Sequence, residues 1–446
     1  MTDAAVSVLS PWYRSVDRDQ WRTLIASNLG WLFDGFETYA LILTAGPALR
    51  TLLEPATFPQ IPAYVGAVVG ITLLGWGIGG MIGGVLADYI GRKRTMMLAI
   101  LAYSLLTGLT AFAFDWTSFA VLRFLVGIAI GSEWATGASI VAEIWPDRAR
   151  GKGVGLMQCG LGVGFFLASF TWLFVAPLGP EAWRVMFLIG ILPALLTFWI
   201  RTSIHEPSVW QRADARRRAA RERRRHGEAL SGEERSLIRF TIADLFAEPN
   251  VRQRAIIVFL MSLATTLAWW GSSSWFPPYL AGLATKAGLP AQQWATYGAI
   301  TFNLGGLFGL AAFGFLADEF GRKPITLAFF AIAFAMTWVL FWWTDDPSLL
   351  LLAAAVNGFF CMGQYSWMPV WLPELFPTHL RATAMAFAFN APRLIAFLGP
   401  LLGGVLIVNL GGYGRVATIV ACIYVLGFAV TPLLPETRGK TLPDQI

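Results

Sequence analysis

The stretch Gly83-Gly84-Val85-Leu86-Ala87-Asp88-Tyr89-Ile90-Gly91-Arg92-Lys93-Arg94 ends one apolar run and begins the next. It returns at an offset of 230 as Phe313-Gly314-Phe315-Leu316-Ala317-Asp318-Glu319-Phe320-Gly321-Arg322-Lys323-Pro324. Two further patterns keep nearly the same spacing. Glu143-x-x-Pro146-x-x-x-Arg150 becomes Glu374-x-x-Pro377-x-x-x-Arg381 at an offset of 231, and His205-Glu206 becomes Pro435-Glu436 at 230. Matches at one offset indicate a duplicated unit.

The sequence between these motifs is apolar. Of 446 residues, 56% are hydrophobic and 13% charged, and the mean hydropathy is +0.59. Soluble domains carry about 25% charged residues, so half the usual surface charge is missing. The 20 Trp and 33 Phe suit lipid-facing and cavity-lining surfaces. Collagen, disorder and a secreted disulfide scaffold are excluded by composition. The net charge of +6 lies in short segments between apolar runs, which speaks against a nucleic-acid partner. Cys159, Cys361 and Cys422 each sit inside an apolar run, and His205, His226 and His379 lie far apart. Neither a disulfide framework nor a metal site is expected. Asp17 and Asp19 precede the first apolar run without a cleavage site, so no removable signal peptide is read. The class expected is an all-α integral membrane protein, and not an enzyme.

A bilayer core about 30 Å thick needs about 20 apolar residues per helix. Twelve spans can be read, at 22–49, 62–87, 95–114, 116–143, 153–176, 184–200, 255–283, 292–317, 325–344, 347–373, 383–409 and 415–434. An even number puts both termini on one side. If that side is the cytoplasm, the outer loops hold only Arg50, Arg184, Lys286 and Arg415, as the positive-inside rule requires. The polar stretch 201–252 contains the run RRRAARERRR, Arg216 to Arg225. It divides the chain into a six-helix bundle at 1–200, a cytoplasmic linker with amphipathic surface helices at 201–252, and a second six-helix bundle with a tail at 253–446.

Through the two D-x-x-G-R-K loops the chain resembles the major facilitator superfamily over its whole length. The two E-x-x-P-x-x-x-R motifs and the tail PETRGK (Pro435 to Lys440) are similar to its sugar, organic-ion and aromatic-acid branches. DGFETY from Asp34 and RATAMAFAFNAPRLIAFLGPLLGG from Arg381 resemble the aromatic-acid/proton symporters and organic-anion transporters. GSEWATGASIVAEIWP from Gly131 is similar to sialic-acid transporters. The sugar-porter hallmark Gln-Leu-Ser-Gly is absent from span seven, where LATTLAWWGSSSWF stands from Leu263. The resemblance implies the major facilitator fold, alternating access, and transport driven by the proton gradient without a cofactor. The expected setting is the plasma (inner) membrane, as a monomer in contact with lipid.

Ionisable residues at mid-span are costly, and they are functional candidates for that reason. Asp34 and Glu37 fall in span one, Arg123 and Glu133 in span four, and Arg393 in span eleven. A carboxylate facing Arg123 would form a buried pair that depends on ionisation. Asp34 near mid-span is expected to take that place and to bind the proton, the role that the resemblance implies for the matching Asp and Arg. Glu37 is one turn from Asp34 and nearer the outer half. Glu133 lies about 80° round the helix from Arg123; a second proton site, a substrate contact and a permanently protonated carboxyl stay open for it.

Arg393 is always charged and presents a planar fork suited to carboxylates. The second-half spans contain no mid-span Asp or Glu, so an anionic substrate is expected there, as the resemblance to organic-anion transporters also implies. Trp269, Trp270, Asn303, Tyr365, Trp367 and Asn390 supply an aromatic, weakly polar lining. Gln158 in span five would suit a sugar. Asp88 with Arg92, Glu143 with Arg150, Asp318 with Arg322 and Glu374 with Arg381 are expected to form cytoplasmic gating networks.

Gly75-x-Gly77-x-Gly79 and Gly160-x-Gly162-x-Gly164 look like dinucleotide fingerprints but follow no strand, so they read as helix-packing surfaces. Gly399-Pro400 resembles the signature of drug exporters but lies in span eleven instead of span five. The function expected is proton-coupled import of a small organic anion, an aromatic or sugar-acid carboxylate. A proton-coupled sugar symporter is the alternative, followed by a drug/proton antiporter.

Overall fold

The computed structural model describes residues 11–231, 234–235, 241–399 and 413–443. Helix α1 (Arg18–Leu52) starts on a capping box, in which Asp17 accepts from the Gln20 N–H at 2.8 Å and Gln20 returns the bond. Helices α2 (Ile61–Ile90) and α3 (Arg92–Thr110) meet at Gly91, whose φ of +106° only glycine adopts cheaply. Helix α4 (Trp116–Ile144) follows, then α5 (Arg150–Gln158) in series with α6 (Gly160–Val175), and α7 (Ala182–Ile189) in series with α8 (Pro193–Ser203).

The polar helix α9 (Ser208–Arg225) and the short α10 (Thr241–Ala247) lead to α11 (Pro249–Lys286). The pattern then repeats. Helices α12 (Ala291–Phe320) and α13 (Arg322–Trp342) meet at Gly321, with φ +103°. Helices α14 (Pro347–Gly363) and α15 (Trp367–Leu375) run in series, as do α16 (Arg381–Asn390) with α17 (Arg393–Ala396), and α18 (Tyr413–Ala421) with α19 (Ile423–Val430).

No strand occurs among the described residues. Among the described residues, eight segments are long and apolar enough to cross a bilayer. Helix α1, at 35 residues, is long enough as well, but it carries Asp34 and Glu37. The span expected at 383–409 runs partly outside the described residues.

Small residues set the tightest crossings. Gly75 and Gly79 of α2 lie on the backbone of Phe124 and Ile128, and Gly127 and Gly131 of α4 lie on that of Thr72 and Trp76. The stripe on α4 therefore seats α2. Gly160 and Gly164 of α6 lie against Asn28 and Leu32 of α1. Both glycine runs are helix contacts.

Candidate functional site

At the motif end of the helices, the repeated charges form two buried networks. Arg92 pairs with Asp88 at 3.0 Å and with Glu143 at 3.2 Å, and Glu143 also holds Arg381 at 3.1 Å. Arg322 pairs with Asp318 at 2.9 Å and with Glu374 at 2.8 Å, and Glu374 also holds Arg150 at 3.1 Å. Asp88 with Arg92 and Asp318 with Arg322 pair as their spacing suggests. Glu143 with Arg150 and Glu374 with Arg381 do not; the partners are exchanged between the halves. The cause is local. Each Arg is the first residue of the helix that follows the Pro turn; its Nε donates to a carbonyl of its own half, that of Ala142 or Pro373, while its Nη1 reaches the Glu of the other half.

Two more contacts close this end. Asp88 Oδ2 accepts from the Thr383 backbone N–H at 2.9 Å, and Asp318 Oδ2 accepts from that of Lys152 at 3.0 Å. Arg217 of α9 donates to the Asp88 carbonyl at 2.5 Å and to that of His379 at 3.0 Å, joining both halves. The offset motif His205-Glu206 and Pro435-Glu436 also finds its role. Glu206 accepts from the backbone N–H groups of Arg92 and Lys93, and Glu436 from those of Arg322 and Lys323. Each carboxylate thus caps a helix N-terminus, where the macrodipole favours negative charge.

Deeper in the first half lie the buried charges. Arg123 pairs with Glu37, not with Asp34, and both partners are buried. Glu37 lies one turn beyond Asp34 on α1, at the level where the opposing α4 presents Arg123. Asp34 faces the Glu133 carboxyl and the Tyr103 hydroxyl instead. Glu133 Oε1 also rests against Gly30 of α1. No cation pairs with Asp34 or Glu133 among the described residues.

Arg393 is 4% exposed and faces no carboxylate among the described residues. Its Nη1 donates to the Phe389 carbonyl, and its Nε has no acceptor. The guanidinium lies 4.0 Å from the Phe389 ring centroid and 4.7 Å from that of Trp76. Phe389 stacks on Trp134 at 3.8 Å and meets Trp31 at 5.8 Å and Tyr365 at 6.3 Å. Trp269 touches Tyr365 at 5.7 Å and Trp270 at 4.8 Å, which extends the aromatic surface. Beside it is a narrow cleft lined by Thr38, Thr72, Trp76, Arg123 and Trp270 among others.

Of the expected lining, Arg393, Trp269, Trp270 and Tyr365 come together. Asn303 sits farther out, beside Tyr39. Asn390 turns its amide to the Ala386 carbonyl at 3.0 Å. Gln158 accepts from the Trp134 indole at 3.0 Å. Trp367 lies outside the cluster, fully buried and donating to Thr265 at 3.1 Å. Trp31, Trp76, Trp134 and Tyr103 were missed. Trp134 is adjacent to Glu133 and Trp31 is one turn before Asp34, so aromatic residues within a turn of buried charges were the available signal.

A helical bundle with buried charges, an aromatic centre and clamps at one end is the architecture of a membrane transporter. The chain belongs to the sugar (and other) transporter family, which matches residues 50–445. It is 31% identical to a probable 4-methylmuconolactone transporter of Cupriavidus pinatubonensis, over 97% of this chain and 94% of that one. It is 28% identical to a sialic acid transporter of Escherichia coli, covering 98% and 97%. The crystallised proton:xylose symporter with bound 6-bromo-6-deoxy-D-glucose superposes with a TM-score of 0.76 at 21% identity, over 95% and 97% of the two chains. The fold is that of the major facilitator superfamily, and the protein is a transporter, not an enzyme.

Proposed function

We propose that the protein is a proton-coupled importer of small organic anions. Twelve spans form two six-helix bundles, joined by the 201–252 linker, with both termini on the cytoplasmic side of the inner membrane. Import proceeds by alternating access. The motif end is the cytoplasmic gate, closed here by the exchanged ion pairs, and no bound cofactor takes part. Asp34 and Glu133 face each other without a cation between them, an arrangement suited to taking up and releasing the transported proton.

The observation that carries the reading is Arg393, a buried guanidinium with no carboxylate partner, set among aromatic rings. Such a group is costly unless an anion completes it. The rings suit the body of an aromatic or sugar-acid carboxylate. The name of one relative above, the sialic acid transporter, points to acidic cargo. A neutral sugar is the second reading, drawn from the proton:xylose symporter and Gln158, but the Gln158 carbonyl is already taken by Trp134.

Calorimetric titration of benzoate and benzamide tests the proposal. Arg393→Ala should weaken benzoate binding at least about tenfold, since a charge-assisted hydrogen bond contributes about 1.5–3 kcal/mol. Arg393→Lys, which keeps charge but loses the fork, should fall between. Equal affinity of the unmodified protein for acid and amide would sink the anion reading.

A further inference from the structure

Arg123 is a second buried guanidinium with unused donors. Its Nη1 reaches Glu37, while its Nε and Nη2 have no acceptor, although the residue is wholly buried. An arginine presents five N–H donors in a planar fork, and buried donors left unmade are costly. Glu37 Oε2 has no partner either. The pair is therefore a one-oxygen contact in a place that could hold a bidentate carboxylate.

Position adds to this. Arg123 lines the cleft together with Thr38, Thr72, Trp76 and Trp270. Trp76 is a shared wall, because it borders the cleft and its ring also lies 4.7 Å from the Arg393 guanidinium. One indole thus touches both the cleft at Arg123 and the Arg393 guanidinium.

We propose that Arg123 is an anion-binding subsite occupied by the incoming carboxylate before Arg393, and that Glu37 is the resident carboxylate displaced from it. This rests on the reading of the cargo as an organic anion. The charge balance closes as follows. Arg123 keeps its charge, the cargo carboxylate replaces that of Glu37 on the fork, and Glu37 takes one proton from solvent. When the cargo moves past Trp76 to Arg393, Glu37 returns to Arg123 and its proton passes one turn along α1 to Asp34.

The groups that face Glu37 are Arg123 from α4, Asp34 from its own helix and Tyr103 from α3. Gly190, the cap that ends α7, approaches it, and Arg184 of that helix turns away to the Ala111 and Ala113 carbonyls. Helix α6 has no titratable residue. Glu37 therefore has one cation to answer to, and an arriving anion competes with it directly.

Calorimetry with benzoate and benzamide decides the matter. In the Arg393→Ala background, Glu37→Gln should tighten benzoate binding about tenfold by freeing Arg123. Adding Arg123→Gln should cancel that gain, and benzamide should respond to neither change. If the unmodified protein prefers benzoate but Glu37→Gln brings no gain in the Arg393→Ala background, this inference fails and the anion reading stands. If the unmodified protein binds both alike, the anion reading fails first. Glu37→Gln leaves a buried charge unpaired and can unfold the protein, so a second measurement keeps Glu37. Benzoate titrated into Arg393→Ala in two buffers of different ionisation enthalpy should take up about one proton per molecule bound. Binding without proton uptake would overturn the inference.

Discussion

The two halves of the molecule agree at one end and differ in the middle. At the motif end, Asp88–Arg92–Glu143 and Asp318–Arg322–Glu374 are near copies, each completed by an Arg from the other half. In the middle, the first half buries Asp34, Glu37, Glu133 and Arg123, whereas the second buries Arg393 alone among aromatic rings. Repetition has been kept where the halves must grip each other symmetrically. It has been lost where the proposed proton and anion sites lie.

Even the copies are unequal, which allows a direct test. Glu374 accepts from Arg322 through both oxygens, from Arg150 and from Thr437, whereas Glu143 uses Oε1 for both arginines and leaves Oε2 unpartnered. Breaking a buried pair from one side costs about 3–5 kcal/mol. Glu374→Gln should therefore open the motif end more than Glu143→Gln, read by accessibility of cysteines placed in the inner cavity. Equal opening would mean that the halves contribute alike.

The next effect concerns the middle. Asp34→Asn should abolish proton-driven accumulation while leaving counterflow exchange partly intact, because exchange needs no net proton movement. Gradient-driven uptake at the unmodified level would remove the proton from the first half's tasks. Phe389→Leu should have a smaller effect. It loses the stack on Trp134, a contact class contributing about 0.5–1.5 kcal/mol, so aromatic acids should bind about three- to tenfold more weakly. A sugar acid should lose less; equal losses would assign Phe389 only to holding Arg393.

The smallest effect lies in the two caps and has opposite signs. Burial pushes the Glu206 carboxyl above its ordinary value, despite the N–H groups of Arg92 and Lys93. For Glu436 burial is outweighed by the N–H groups of Lys323, Arg322, Arg438 and Thr437, and its value falls below the ordinary one. A lowered carboxylate contributes stability that is lost as pH falls through its folded value, and a raised one contributes stability that is lost as pH rises. Acidification through the ordinary glutamate range should loosen the 435–440 tail and tighten the 204–207 turn. Hydrogen exchange of the two segments against pH checks this, and movement in the same direction would contradict it.

Much of the site was legible because charges are rare in an apolar chain. Asp34, Glu37, Arg123, Glu133 and Arg393 stand out for that reason alone, and all prove buried. The aromatic wall was only partly legible. With 20 Trp in the sequence, no pattern separates Trp76 and Trp134, which form the site, from Trp367, which packs against Thr265.

Hydropathy, the offset repeat and the motif residues are properties of the chain read along its length, and they determine by themselves a duplicated helical membrane protein with charges at known depths. Which charge meets which is a property of neighbouring helices. Glu37 takes Arg123 because it lies one turn beyond Asp34 on α1, where α4 brings the guanidinium past. Glu143 and Glu374 exchange arginines because each Arg, held by its Nε on a carbonyl of its own half, extends its Nη1 to the Glu of the other. A shift of one helical turn, about 5.4 Å, changes the partner of a side chain without changing its place in the sequence, so only the tertiary structure decides those pairings.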